Sequence, residues 1–246
     1  MNMIVLLSRT ISPDDPIELI NGQTVIDPTS YIINPPDAIA LEEAIQLKEK
    51  YGGTITVIMV SPIEGEKQLR TALAMGADAA ILLEVDPIEE YPAIVARKIA
   101  DYIKSVEFDL ILAGDFATDG ASSQVGPRVA TILDIPYLTN IQKVKKEKGK
   151  MIVTRNGERD IETYHGSTPL LVTIPQGLHV PRLASVLGII QAKKKPYKLV
   201  PIEYNELASY HPQQYLFPNM QRKKTMIQGD KSTEITELAQ IIKKLK

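Results

Sequence analysis

Asp109–Ala130 reads DLILAGDFATDGASSQVGPRVA, and the reading of this stretch decides the fold. Asp109–Ala113 is a short, β-prone apolar run. Gly114–Gln124 is small and polar, and apolar residues then recur at helical spacing at Val125, Val129, Ile132 and Leu133. A strand, a glycine loop and a helix in that order form the unit from which phosphate-binding α/β sheets are built. This loop has no lysine before its helix. A helix N-terminus supplies unpaired N–H groups and the positive end of a dipole, so a phosphate can be held there without a cation. The loop also lacks an acidic pair for magnesium, so holding a phosphate fits better than cleaving one. A plainer reading stays open at this point, in which Asp119 or Ser122 caps the helix and Gly120 shapes a turn.

Further runs of the same kind lie on the N-terminal side. Met3–Leu7, Thr54–Val60 and Ala80–Leu83 are continuous apolar stretches, as expected of strands buried on both faces of a parallel sheet. Between them, Ala40, Leu41, Ala44, Ile45 and Leu47 predict a helix over Pro36–Tyr51 that stops at Gly52-Gly53. Leu69, Ala72 and Leu73 mark a second helix, and Ile94, Val95, Ile99 and Ile103 a third. The alternation predicts a doubly wound, mostly parallel α/β sandwich. Asn21-Gly22 within Ile17–Ile26 signals a hairpin, and Ile141–Tyr164 carries three weak strand patterns that suggest an antiparallel excursion. Past Val200 the periodicity lapses. It resumes at Ile235, Leu238, Ala239, Ile242 and Leu245 as one amphipathic helix that needs a surface to dock on. The expected organisation is a nucleotide-binding domain over residues 1–200 and a C-terminal arm over 201–246.

Composition narrows the function. The 246 residues carry a net charge of −2, so no basic field points to nucleic acid. Cysteine is absent, which excludes disulfides, thiolate catalysis and cysteine metal sites. No stretch is apolar for long enough to span a membrane, and the apolar start is too short for a signal peptide, so a cytoplasmic protein is expected.

Ligands in open α/β sheets gather at the carboxyl ends of the strands. The segments expected to converge there are Leu6-Leu7-Ser8, Asn34-Pro35-Pro36-Asp37, Val60-Ser61-Pro62, Ala113-Gly114 and the loop with Thr118, Asp119, Gly120, Ala121, Ser122, Ser123, Gln124, Val125, Gly126 and Pro127. In this reading Asn34–Asp37 shape the adenine or ribose side and Val60–Pro62 wall the base. Asp119–Pro127 cradle the phosphates, with Ser122, Ser123 and Gln124 donating hydrogen bonds. Gly120 and Ala121 let the backbone come close.

Three stretches carry a family resemblance. Ile33–Lys50 (INPPDAIALEEAIQLKEK), Arg70–Asp78 (RTALAMGAD) and Pro181–Pro196 (PRLASVLGIIQAKKKP) resemble, in order and spacing, motifs of the β subunit of electron transfer flavoproteins. The resemblance covers roughly residues 1–200. It implies a sandwich of the adenine nucleotide alpha hydrolase type and a heterodimer with a larger α subunit that holds most of the redox-active FAD. Such a protein carries electrons from dehydrogenases toward a quinone oxidoreductase or another acceptor and is not a stand-alone enzyme. Most relatives bury an AMP in the β subunit, behind a loop ending in NQTGQ. Those that bifurcate electrons bind a second FAD there, with DGDTAQVGP. Asp119–Pro127, DGASSQVGP, is closer to the second pattern but departs from it at Ala121, where that group has aspartate, and at Ser122 and Ser123, so AMP stays open beside a second FAD.

The resemblance also makes Pro181–Lys195 a segment that docks partner dehydrogenases. The family's leucine anchor falls on Val186, with Leu187 beside it, and Lys193, Lys194 and Lys195 would steer acidic partners. His165 and Arg159 match no motif and are expected at the surface. The competing readings are a stand-alone nucleotide module similar to universal stress proteins and an ATP pyrophosphatase. Neither the phosphate signature of the first nor the SGGxDS-like loop of the second is found.

Overall fold

The uninterrupted apolar run at the N-terminus is covered on both sides. Of strand β1 (Asn2–Leu7), Met3, Val5 and Leu7 pack on one face of the sheet, and Ile4 and Leu6 on the other. In this computed structural model, residues 1–16, 18–20, 23–25, 27–85, 91–202 and 226–244 are described. After β1 the chain forms a short ribbon, β2 (Arg9–Ile11), and a hairpin of β3 (Glu18–Ile20) and β4 (Gln23–Val25). The hairpin pairs Ile20 with Gln23, as the expected turn requires, although Asn21-Gly22 lies outside the described residues. Strand β5 (Tyr31–Ile33) returns antiparallel to β2 and leads into helix α1 (Pro35–Tyr51).

Strands and helices then alternate: β6 (Thr54–Ser61), α2 (Glu66–Met75), β7 (Ala79–Glu84), α3 (Pro92–Ile103), β8 (Leu110–Gly114) and α4 (Val125–Leu133). Helix starts and stops follow the local chemistry. Prolines pre-set the first turns of α1 and α3, where a missing N–H costs nothing. Gly52, at φ 71°, ends α1. The remainder comprises β9 (Tyr137–Leu138), β10 (Ile141–Glu147), β11 (Lys150–Asn156), β12 (Ile161–Gly166), β13 (Leu170–Ile174), α5 (Val186–Ala192), β14 (Tyr197–Pro201) and α6 (Lys231–Lys244).

Seven strands form one parallel sheet in the order β14-β7-β6-β1-β8-β13-β9. Residues of α1 and α2 share a buried cluster with one face, and residues of α3 and α4 with the other. The expected antiparallel excursion is the three-stranded sheet β10-β11-β12, whose Ile141, Val144, Met151 and Val153 join the α1 side of the core. Its first turn, Lys148-Gly149, has positive φ at both residues, as a two-residue hairpin favours. Sequence reading did not anticipate β9, β13, β14 or the β2–β5 ribbon. The terminal helix forms over Lys231–Lys244 with every residue exposed, Ile235, Leu238, Ile241 and Ile242 included. Leu245 and residues 203–225 lie outside the described residues.

Candidate functional site

Strand order reverses at β1. The chain first builds outward through β6 and β7, then crosses to β8 and β13 on the other side. The loops leaving β1 and β8 therefore diverge, and a crevice opens beyond their carboxyl ends. Its empty space is about 840 Å³, counted out to open solvent. Leu6, Leu7 and Ser8 line it from β1, Ala113 and Gly114 from β8, and Val60 from β6.

Asp37 organises the floor. It is 6% exposed, and its carboxylate accepts from the Ser8 amide at 2.7 Å, the Ser8 hydroxyl at 2.7 Å and the Gly114 amide at 3.0 Å. One side chain in the first turn of α1 thus ties the ends of β1 and β8 together. Burial pushes its carboxyl up to about 6, outweighing the opposing pull of the bonds from Ser8, Asn34 and Gly114. The contact leaves no room at Gly114: a Cβ there would stand 2.3 Å from Asp37 Oδ1 and 2.7 Å from Pro36 Cβ.

Asn34, 1% exposed, holds the loop after β8. Its Nδ2 donates to the Phe116 carbonyl at 2.9 Å, and its Oδ1 accepts from the Thr118 amide at 3.2 Å. Thr118 is bonded in turn to Thr10, at 3.2 Å. Pro35 and Pro36 start α1 and support this floor without lining the crevice, and Thr118 likewise acts from behind.

The loop expected to cradle phosphate differs from expectation in its detail. Positive φ falls on Ala121 (47°) and Ser123 (54°), and Gly120 does not share it. L-residues held in this region mark a backbone constrained by its surroundings. Alternating φ sign turns successive amides toward one side, the geometry of an anion-binding nest. Among the described residues the amides of Ser122, Ser123, Gln124, Val125 and Gly126 have no hydrogen-bond partner. Gly126 lets α4 lie close to β13, since a Cβ there would sit 3.0 Å from Thr173 Cγ2. Ala121 and Pro127 shape the loop and the helix start but do not line the crevice.

One expectation about side chains is corrected here. Ser61 and Pro62 do not line the crevice; on β6 the side chains alternate, so Val60 faces it and the Ser61 hydroxyl turns to the opposite face, against Gly65. The Gln124 side-chain oxygen accepts from Arg128 Nε at 3.0 Å and Nη2 at 2.8 Å, which leaves its NH2 group as the donor. That pair fixes the Arg128 guanidinium on the first turn of α4, outside the residues that line the crevice. Sequence reading passed over it, although the i,i+4 spacing of Gln124 and Arg128 was the available signal. It also passed over Pro92, Val95 and Ile99 of α3, which wall the apolar side, and Asp115, Phe116 and Ala117.

Pro181–Lys195, the segment expected to dock a partner, is anchored on α1. Glu42 and Glu49 grip Arg182, with contacts of 2.8 and 2.6 Å, and the guanidinium is held well above its ordinary range by these two carboxylates. His179 Nε2 meets Glu43, whose side chain is buried. Beyond these anchors Ser185 caps α5, its hydroxyl accepting from the Gly188 amide at 3.0 Å. Gly188 lies against the Ala74 carbonyl, which a Cβ would approach to 2.3 Å. The segment therefore stands rigidly while its apolar side chains face outward: Val186 is 77% exposed, Leu187 63% and Leu183 93%. Lys193 and Lys194 are exposed, as expected. Lys195 is not: its ammonium donates to the carbonyls of Leu73 (2.7 Å) and Ala77 (2.6 Å) around the end of α2, and burial lowers its pKa. It caps a helix, which removes it from the set of steering charges. His165 and Arg159 are exposed.

The electron transfer flavoprotein domain matches residues 23–203. An electron transfer flavoprotein subunit beta of Bacillus subtilis is 39% identical, over 99% of this chain and 98% of its own length. The human electron transfer flavoprotein subunit beta is 34% identical over 81% of each chain. The caffeyl-CoA reductase-Etf complex subunit CarD of Acetobacterium woodii is 36% identical over 71% of this chain and 68% of its own. With this extent of match, the chain belongs to the electron transfer flavoprotein beta-subunit family.

Proposed function

We propose that this chain is the β subunit of a heterodimer whose α subunit holds most of the redox-active FAD, and that its crevice retains an adenine nucleotide. The observation that carries the second part is the row of unpartnered amides from Ser122 to Gly126 at the switch point, facing a cleft with an apolar wall. An adenylate suits it: Val60, Val95 and Ile99 take the base and the nest takes the phosphate. The DGASSQVGP ending and the exposure of Ser122, Ser123 and Gln124 at the phosphate end favour a ligand that continues outward, a second FAD over AMP. A bound flavin supplies electron acceptance and donation. The chain's own residues fix, orient and shield the nucleotide, and none of them enters a covalent step.

Partner contacts follow from the two exposed apolar sets. The face around Val186 and Leu187 docks an electron-donating dehydrogenase, with Lys193 and Lys194 speeding encounter. The arm from residue 201 and helix α6 dock on the α subunit. A quinone oxidoreductase or another acceptor then receives the electrons. No described helix is long and apolar enough to cross a membrane, and we place the complex in the cytoplasm. Co-expression with the α subunit tests the assignment. A one-to-one complex with flavin absorbance, reduced by an acyl-CoA or NADH-linked donor, is expected. A chain that stays alone and passes no electrons would refute it.

A further inference from the structure

Arg9 is 8% exposed, and among the described residues no carboxylate meets it. Its guanidinium lies over the Tyr31 ring, 4.3 Å from the centroid, and its Nε is buried without a hydrogen-bond partner. A guanidinium does not shed its proton, and this one has a buried, unpartnered Nε and no carboxylate among the described residues. A ring face compensates only part of that charge.

Two other buried polar atoms on the same side lack partners, Ser61 Oγ and Gln68 Oε1. Gln68 is fixed to this corner, because its Nε2 donates to the Tyr31 carbonyl at 2.7 Å. The group is separate from the nucleotide crevice: Ser61 turns away from it, and Arg9 lies on the strand between Ser8 and Thr10, which serve the crevice loop. Ile32, which follows Tyr31 and pairs with Thr10, is 36% exposed, and Ile63, on the turn joining Ser61 to α2, is 44% exposed. A buried arginine beneath a surface with exposed aliphatics is the usual make-up of an interface anchor.

We propose that Arg9 receives a carboxylate side chain of the partner subunit. One guanidinium matches one carboxylate, held by two parallel N–H···O bonds. A phosphate suits this corner less well, since one guanidinium would leave a dianion half compensated. This rests on the heterodimer reading above, and the tests separate the two.

Heterodimer affinity is measured for the wild type, Arg9→Lys and Arg9→Met with the same α subunit, at low and high salt. Urea unfolding of the full β chain alone is measured alongside. Arg9→Met is expected to weaken the heterodimer roughly 30-fold or more, with Arg9→Lys in between. The same Arg9→Met chain, relieved of an unpaired charge, should be as stable alone as the wild type, or more so. Unchanged affinity overturns the proposal. So does loss of stability in the isolated Arg9→Met chain, which would make Arg9 an internal support. A wild-type chain that binds no α subunit overturns the heterodimer reading and this inference with it.

Discussion

Asp37 gives the fold a pH dependence opposite to that of most carboxylates. Its folded pKa is about 6 against an ordinary 3.8, and burial is the main cause. A carboxyl with a raised folded pKa holds its proton more tightly in the folded chain. Its contribution to stability is therefore full below pH 3.8 and is lost as pH rises through 6. The difference of about two units corresponds to about 3 kcal/mol. In Asp37→Asn this titration is gone, while the side chain keeps its size and one acceptor for the Gly114 amide. The amide nitrogen would face the Ser8 N–H, an unmade bond worth about 1–3 kcal/mol, so the two chains should differ little at pH 7. Urea unfolding of both proteins at half-unit steps from pH 4 to 7, taken as a difference, cancels all distant carboxylates. The wild type should gain on the variant by about 2.4 kcal/mol as pH falls from 7 to 4. A flat difference, or a wild type that loses ground toward acid, would refute the account of the crevice floor.

The other predictions concern single contacts. Gly114→Ala puts a methyl 2.3 Å from Asp37 Oδ1 and should cost about 1–3 kcal/mol and lower nucleotide content, read by thermal unfolding and nucleotide release. Ser123→Asp places a like charge at the phosphate nest and should expel the nucleotide with little change in unfolding; full retention would remove the cradle. Arg182→Ala strands Glu42, 4% exposed, and should destabilise by about 2 kcal/mol; the guanidinium's own 37% exposure keeps this below a fully buried pair. Val186→Asp should lower kcat/KM with the dehydrogenase while nucleotide content stays constant.

The sheet's centre was legible because β1, β6, β7 and β8 are buried on both faces and so read as unbroken apolar runs. β13 satisfies the same rule with Leu170–Ile174, all buried, yet it follows the antiparallel excursion, where the alternation that flags a parallel sheet had been interrupted. Strand β14 is an edge strand whose Lys198 and Leu199 are exposed, and its sequence carries no buried-strand signal. At the site, spacing located the loop and its helix correctly. It could not show which face a strand residue takes, which separates Val60 from Ser61, nor which way a lysine bends. Lys193, Lys194 and Lys195 are identical in sequence, and only the open carbonyls at the end of α2 single out the third.

The central claim is that the crevice holds an adenine nucleotide beside the flavin of the α subunit. Acid release and chromatography of the co-purified heterodimer test it most directly. The account predicts two nucleotides per heterodimer, both FAD if the QVGP loop behaves as proposed, and only one in Ser123→Asp. One FAD per heterodimer and nothing in the β-subunit crevice of the wild type would contradict it.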